Sequence, residues 1–184
     1  SFPKINRLLE RNSKNGKHSV LDIEIVDKDI YEQIIKERYV ELHHFSLMPN
    51  HFHLSLRETQ KNGIQRYTQR ILNAYTKSIN TKYDKSGHLF QGPYKNVHVA
   101  SNEQFLYLSA YVHLNAREID EWRGREDVYP WSSYQDYLHV NRWKDLLVTD
   151  LTKSQFVNEK AYRIFVEESG AKASSKMSNT ECWT

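Results

Sequence analysis

Two histidines separated by a single residue are the feature of this chain best suited to chemistry. They lie in the stretch Leu47-Met48-Pro49-Asn50-His51-Phe52-His53-Leu54. Alternate side chains of an extended strand point to the same face, so His51, His53 and Ser55 would share one face. The opposite face, which we expect to fill a core, would carry Phe52, Leu54 and Leu56. Neutral imidazole is a common metal ligand, so two on one rigid strand could hold a divalent metal.

The elements that must position these histidines can be read from periodicity and turn residues. Residues 39–48 favour a strand, and Pro49-Asn50 favours a turn into the segment that carries the histidines. Helices are predicted for residues 29–38, 64–79, 101–116 and 154–168, and a short strand for 96–99. The third of these helices begins at a capping-box pattern, in which a hydroxyl residue, Ser101, is followed three positions later by Gln104. Tyr107, Tyr111 and Asn115 recur every four residues along one of its faces.

Charge is distributed unevenly along the 184 residues, although the net charge is only +3. Residues 51–100 contain eight Lys or Arg against two Asp or Glu, whereas residues 101–184 contain ten against thirteen. The basic excess therefore coincides with the histidine pair, and it favours a polyanionic substrate such as nucleic acid. We expect the electrostatic footprint on the helix face of Arg66, Arg70 and Lys77 and on the following loop. In that loop Lys85, His88 and Lys95 would approach DNA, and Tyr94 would stack on exposed bases.

Length and composition indicate one globular domain, residues 1–168, followed by a flexible tail, residues 169–184. The single cysteine, Cys182, excludes an internal disulfide framework and a cysteine-based zinc site. No apolar run approaches the ~18–20 residues of a membrane span. No secretion leader is recognised, so we expect a cytoplasmic protein without a membrane partner.

Four motifs occur in order along residues 39–140. The histidine motif is followed by Gly87-His88-Leu89-Phe90-Gln91-Gly92 with Tyr94-Lys95, then by residues 111–115, and then by Tyr129-Pro130-Trp131-Ser132-Ser133-Tyr134. Together they resemble the REP-associated tyrosine transposases, within the single-tyrosine HUH transposase superfamily. The resemblance implies an α+β fold, a ferredoxin-like sandwich in which an antiparallel sheet carries the histidine strand and helices pack on it.

The resemblance also implies a set of residue roles. His51 and His53 match the metal-binding histidines, Tyr111 matches the nucleophile, and Asn115 matches the side chain that completes the metal shell. The implied activity is cleavage and rejoining of single-stranded or hairpin DNA through a 5′-phosphotyrosine intermediate. The implied cofactor is a divalent metal, Mg²⁺ or Mn²⁺, and a homodimer is possible. Tyr107, one turn before Tyr111, is the rival nucleophile.

The sequence also departs from the family pattern. Pro93 stands where the family usually has arginine, and Ala116 stands where it usually has proline. The family's opening strand, of the form Tyr-His-x-x-x-Arg-Gly, is not found. Three alternatives therefore remain open. They are a domesticated nucleic-acid-binding protein that does not cleave, a replication-initiator or relaxase-type HUH nuclease, and a metal hydrolase unrelated to DNA.

Overall fold

The computed structural model describes residues 28–170, which fall into two units divided after Glu37. In the first unit, helix α1 spans Lys28–Lys36. Asp29 lies in its first turn and Lys36 in its last, the arrangement that complements the helix dipole. The predicted helix at residues 29–38 is therefore confirmed. Cys182 and all but two residues of the expected tail lie outside the described residues.

The second unit contains an antiparallel pair of strands, β1 (Val40–Leu47) and β2 (Phe52–Glu58). The longer helices that follow are α2 (Gly63–Tyr83), α3 (Asn102–His113) and α6 (Glu159–Glu168). Two short helices lie between α3 and α6, namely α4 (Tyr134–Leu138) and α5 (Asp150–Lys153). The α+β class predicted from the sequence is confirmed. Within the described part the sheet has two strands, and the ferredoxin-like topology stays a prediction.

The start of α2 depends on a close approach of backbone to backbone. Asn62, just before the helix, has φ 60°, and an added Cβ on Gly63 would lie 2.2 Å from the carbonyl oxygen of Tyr39. No side chain fits there, so a glycine is required where α2 leaves the sheet. The predicted short strand at residues 96–99 is wrong, because that segment pairs with no other strand in the described structure.

Helix α3 begins as its sequence predicts. The Ser101 hydroxyl accepts a hydrogen bond from the backbone N–H of Gln104 at 3.1 Å. The Gln104 side chain in turn accepts one from the N–H of Ala100 at 2.8 Å. The first bond satisfies a donor that helix formation leaves unpaired, and the second ties the preceding residue to the first turn of the helix. The α-helix ends at His113 and continues as a 3₁₀ segment, Leu114–Glu118, which includes the predicted end at Ala116.

The core lies between α3, α4 and α6 and is formed by Ala110, Leu114, Tyr134, Tyr137, Leu138, Tyr162 and Val166. Buried polar groups attach β1 to this core. Tyr137 donates from its hydroxyl to the carbonyl of His43, and the Ser133 hydroxyl accepts from the N–H of Phe45. The strand that precedes the histidine turn is therefore fixed from the helix side. No helix among the described residues is both long and apolar enough to cross a membrane.

Candidate metal and nucleophile site

The hairpin of β1 and β2 fixes where the two histidines lie. Leu47 pairs with Phe52 and Ser46 with His53, and the backbone N–H of Met48 bonds the carbonyl of His51 at 2.8 Å. His51 is therefore the last residue of the turn, and His53 is the second residue of β2. A register shift between Leu42 and His44 lies at the far end of the pair, away from the histidines.

The face of β2 that carries His53 is the face that α3 covers. Ser55, on that same face, is the buried residue of the strand, at 5% exposure. Phe52, Leu54 and Leu56 stay partly exposed, so the expectation that they fill a core is wrong. The reason is that α3 packs against His44 and His53 on the other face, whereas Phe52 meets the ring of Phe90 from a loop.

Three predicted residues come together at the turn end of β2. The ring centroids of His51 and His53 are 4.9 Å apart and nearly perpendicular. Those of His53 and Tyr111 are 5.5 Å apart, with the ring planes at 88°. Tyr111 is half-buried on α3, whereas Tyr107, one turn earlier, is exposed. This arrangement brings a tyrosine ring and two imidazoles together.

The donor chemistry of the histidine pair fits a divalent cation. Nδ1 of His51 lies 2.7 Å from Oδ1 of Asn50, an atom that can only accept. The proton of His51 is thereby held on Nδ1, and Nε2 is left with the lone pair that a metal needs. Residues 28–170 contain no cluster of three His, Cys, Asp or Glu side chains that could hold a metal.

Asn115 differs from His51, His53 and Tyr111 in its burial and in its hydrogen-bond partners. It is completely buried, and its amide nitrogen donates to the carbonyls of Tyr111 at 2.9 Å and Val112 at 3.4 Å. These bonds close the last turn of α3 just after Tyr111, where helix carbonyls lack N–H partners. The contacts of Asn115 therefore tie the nucleophile candidate to the end of its helix.

A cavity of about 190 Å³ opens beside these residues. It is lined by consecutive residues of β2, from Phe52 to Leu56, by Tyr111, and by parts of residues 94–99 and of α2. Since consecutive strand residues point to opposite faces, the cavity borders the edge of β2 and not one of its faces. Polar and apolar groups are mixed at its wall, which includes Lys95 and Asn96 as well as Leu108 and Val112.

The predicted DNA-contacting residues are exposed or partly exposed. Arg66 and Arg70 project from α2, and their guanidinium carbons lie 5.8 and 5.5 Å from the ring centroid of Tyr39. Tyr39 thus holds two cations one turn apart, which is favourable through cation–π attraction. Lys77 lies two turns further along α2, and the rest lie in the segment that follows it, namely Lys85, His88, Tyr94 and Lys95.

Three other histidines are structural. His44 Nε2 is hydrogen-bonded to the Thr152 hydroxyl at 3.0 Å. His113 lies between the hydroxyls of Ser133 and Tyr162, at 2.9 and 2.8 Å. Burial lowers the pKa of His113 to about 3 and lowers that of His44 well below its ordinary value. Burial also lowers the pKa of His43, and this effect exceeds the opposite effect of its hydrogen bond to the Val148 carbonyl. These imidazoles are therefore neutral parts of the core.

Two residues that contact predicted site residues were not predicted from the sequence. The turn pattern predicts only a turn at Asn50, although its amide oxygen lies next in sequence to His51 and is a suitable acceptor for that ring's Nδ1–H. Tyr39 was assigned only to a strand, and nothing in the sequence brings it to Arg66 and Arg70, because they lie more than 25 positions apart.

The sequence model of the transposase IS200-like family matches residues 13–115 of this chain. That match covers more than half of the chain and includes both histidines and Tyr111, so the chain belongs to the IS200-like transposase family. Family membership makes it a DNA-processing enzyme with DNA as its substrate. No curated protein and no solved structure matches the chain.

Proposed function

We propose that this transposase cleaves and rejoins single-stranded or hairpin DNA through a covalent bond to Tyr111. The observation that carries the proposal is the contact between the rings of His53 and Tyr111, 5.5 Å apart at the end of β2. A phenol alone is a poor nucleophile because its pKa is ~10. A neighbouring group that neutralises charge is therefore needed, and the histidine pair is suited to hold one.

In the proposed reaction the Tyr111 oxygen attacks the phosphorus of one phosphodiester. A bond from this oxygen to phosphorus forms, the bond from phosphorus to the 3′ oxygen breaks, and the phenolic proton is passed on so that a 3′ hydroxyl leaves. The 5′ phosphate stays on Tyr111. Because one phosphoester replaces another, rejoining by the reverse attack requires no further energy source.

We propose that His51 and His53 would hold a divalent metal, Mg²⁺ or Mn²⁺, with His51 offering the Nε2 that its hydrogen bond to Asn50 leaves available. When bound, the metal would polarise the phosphate oxygens and stabilise the charge that develops on them. Asn50 orients His51, and α3 sets the height of Tyr111 above β2. These two constraints pre-position the nucleophile, which is where much of an enzymatic rate gain originates.

Asn115 has two proposed roles. Its match to the family motif makes it the third metal ligand, through its amide oxygen. Its full burial and its bonds within α3 support a positioning role, in which it holds the helix end that carries Tyr111. In the ligand role we expect its loss to reduce cleavage less than loss of a histidine, because water can replace a vacated ligand.

The basic residues of α2 and of residues 85–95 are proposed to bind the phosphate backbone. Membership of the REP-associated branch is also a proposal, supported by the order of the four sequence motifs, and a homodimeric state is proposed only as what that resemblance implies.

The test is incubation of the full chain with end-labelled hairpin DNA and Mn²⁺, followed by a denaturing gel. A labelled band at the mass of protein plus cleaved strand is expected. Wild-type protein that binds the DNA tightly but never forms this band would favour the domesticated, non-cleaving alternative.

A further inference from the structure

We propose that the cavity beside His53 and Tyr111 receives one unpaired base of the DNA, next to the phosphate that Tyr111 attacks. This inference rests on the proposed function and extends it to recognition of the substrate. The base of a flanking nucleotide is joined to that phosphate through a single sugar. Because Tyr111 forms part of the wall of the cavity, a base that enters it lies close to the reacting phosphate.

The size and the apolar part of the cavity suit a small flat ligand. Its volume of about 190 Å³ lies below the ~300–1,000 Å³ of pockets for drug-sized molecules. Aromatic residues form part of its wall, namely Phe52, Tyr94 and Tyr111, and α3 adds Leu108 and Val112. Aromatic and apolar side chains are the groups between which proteins stack an extruded base.

Two nearly buried hydroxyl groups belong to the wall of this cavity. Ser55 is 5% exposed and Thr68 is 4% exposed, and both residues line the cavity. Neither hydroxyl takes part in a hydrogen bond within residues 28–170. Buried polar groups in folded proteins nearly always have a hydrogen-bond partner. The partner of these two hydroxyls is therefore a molecule inside the cavity, which is water in the free protein and the base in the complex.

Main-chain groups of β2 add hydrogen-bonding capacity to the same wall. One side of β2 pairs with β1, and no strand among the described residues pairs with its other side. Alternate N–H and C=O groups therefore point from this edge toward the cavity. Asn96 adds an amide group, which can both donate and accept. The wall thus offers the mixture of donors and acceptors by which proteins bind the polar edge of an extruded base.

The charge of the wall favours a base over a phosphate group. The described residues that line the cavity include one lysine, Lys95, and no arginine, aspartate or glutamate. A phosphate would instead be bound by clustered Lys and Arg side chains. Arg66, Arg70 and Lys77, which we propose for the phosphate backbone, do not line the cavity. The basic residues and the cavity would therefore bind different parts of the nucleotides.

The experiment moves an abasic site along the unpaired nucleotides of a hairpin DNA and measures binding of the full chain without added metal. One abasic position should weaken binding to wild type, because the base that enters the cavity is missing. Thr68→Val keeps the shape of the side chain and removes its hydroxyl. This variant should bind intact DNA roughly 2- to 12-fold more weakly, the value of one hydrogen bond. It should have no further effect on DNA that is abasic at the sensitive position.

Thermal unfolding of the free protein separates a ligand-binding role of Thr68 from a structural one. Thr68→Val should not lower the midpoint of unfolding, because the hydroxyl has no protein partner to lose. Thr81→Val changes an exposed threonine of the same helix that does not line the cavity, and it is the matched control. It should bind every DNA as wild type does. A lower midpoint in Thr68→Val, with equal loss of binding to every DNA, would make the hydroxyl structural and overturn the inference.

The outcomes also separate this inference from the proposed chemistry. If the effect of Thr68→Val disappears at one abasic position while wild type forms no covalent adduct with Mn²⁺, the base site stands and the cleavage proposal fails. If wild type forms the adduct but no abasic position weakens its binding, the base site is wrong and the cleavage proposal stands. A Thr68→Val protein that binds intact DNA as tightly as wild type would overturn the base site as well.

Discussion

The Tyr111 ring on α3 meets the His53 ring on β2 almost at a right angle, with their centroids 5.5 Å apart. Two elements separated by more than 40 residues of chain thus bring a phenol and an imidazole to one place. The contact depends on α3 packing against the histidine face of the hairpin. Any change that tilts this helix should affect the proposed reaction without touching either ring.

Replacement of Tyr111 by phenylalanine should abolish the covalent adduct while the fold and DNA affinity remain. The ring, and hence its contact with His53, is kept, and only the hydroxyl is removed. A denaturing gel with labelled hairpin DNA measures the adduct, and a filter-binding titration measures affinity. Tyr107→Phe is the matched control, since Tyr107 lies one turn away and is exposed. An adduct that survives in Tyr111→Phe but not in Tyr107→Phe would move the nucleophile by one turn.

Replacement of either His51 or His53 by alanine should abolish cleavage but largely spare DNA binding, because affinity comes mainly from phosphate contacts by Lys and Arg. Calorimetric titration with Mn²⁺ should show loss of metal binding in both variants. Equal loss of DNA binding and cleavage would mean that the histidines are structural.

Asn50→Ala should weaken metal affinity or cleavage by about 10- to 100-fold, the usual cost of removing the partner of a metal-binding histidine. The physical reason is that Asn50 holds the proton of His51 on Nδ1. Asn50→Asp keeps an acceptor at this position, so its metal affinity and cleavage should be closer to those of wild type than to those of Asn50→Ala. Unchanged Mn²⁺ affinity in Asn50→Ala would show that the hydrogen bond does not orient a ligand.

Arg66→Ala and Arg70→Ala should each weaken DNA binding. Each should also reduce the slope of log affinity against log salt by the amount expected for about one phosphate contact. The slope of log affinity against log salt, measured for wild type and each variant, gives this number. Lys160→Ala, an exposed cation on α6, is the control and should change neither quantity. A flat salt response in wild type would argue against a nucleic-acid footprint.

Acid should destabilise the protein through its buried histidines. The pKa of His113 is about 3 in the folded state, and its ordinary value is 6.5, so the unfolded chain binds the proton more readily. The stability from keeping this imidazole neutral is fully present above pH 6.5 and is lost as pH falls toward 3. Between these values the unfolding free energy should fall by about 1.4 kcal/mol per pH unit for this residue.

Denaturant titrations at intervals between pH 7 and pH 4 measure this slope, and the contribution of His44 should add to it. His113→Gln should flatten the slope even if it lowers stability at every pH. The exposed His98→Gln is a control for the general effect of removing a histidine. An identical slope in wild type and His113→Gln would contradict the burial argument.

Gly63→Ala should destabilise the fold by roughly 1–3 kcal/mol, the usual cost of overpacking. The new Cβ would lie 2.2 Å from the Tyr39 carbonyl oxygen, which is backbone and cannot move aside cheaply. This outweighs the ~1 kcal/mol that alanine normally gains over glycine in a helix. Thermal unfolding measures the difference, and Gly92→Ala, which meets nothing within 4 Å, serves as the control.

Local signals in the sequence predicted the elements that hold the site. The Ser101 and Gln104 cap, the strand before Pro49 and the spacing of Tyr107, Tyr111 and Asn115 depend on neighbours within a few residues, and each element is present. The face of β2 that becomes buried could not be predicted, because the neighbouring His44 on β1 finds its partners, Phe105 and Thr152, far along the chain. Thr152 is hydrogen-bonded to His44, and Ser133 is hydrogen-bonded to His113. No pattern in the sequence around Thr152 or Ser133 predicts these long-range hydrogen bonds.

The outer edge of β1 is closed by the chain itself. Leu147 bridges Leu42 near one end and Ser132 bridges Ser46 near the other. A strand edge occupied in this way cannot recruit a foreign strand, which is how many sheets begin to aggregate. Within the described residues, intermolecular sheet growth would therefore start at β2, directly beside the histidines. A second copy that pairs with β2 should therefore also cover the candidate site. Bound DNA should delay this aggregation.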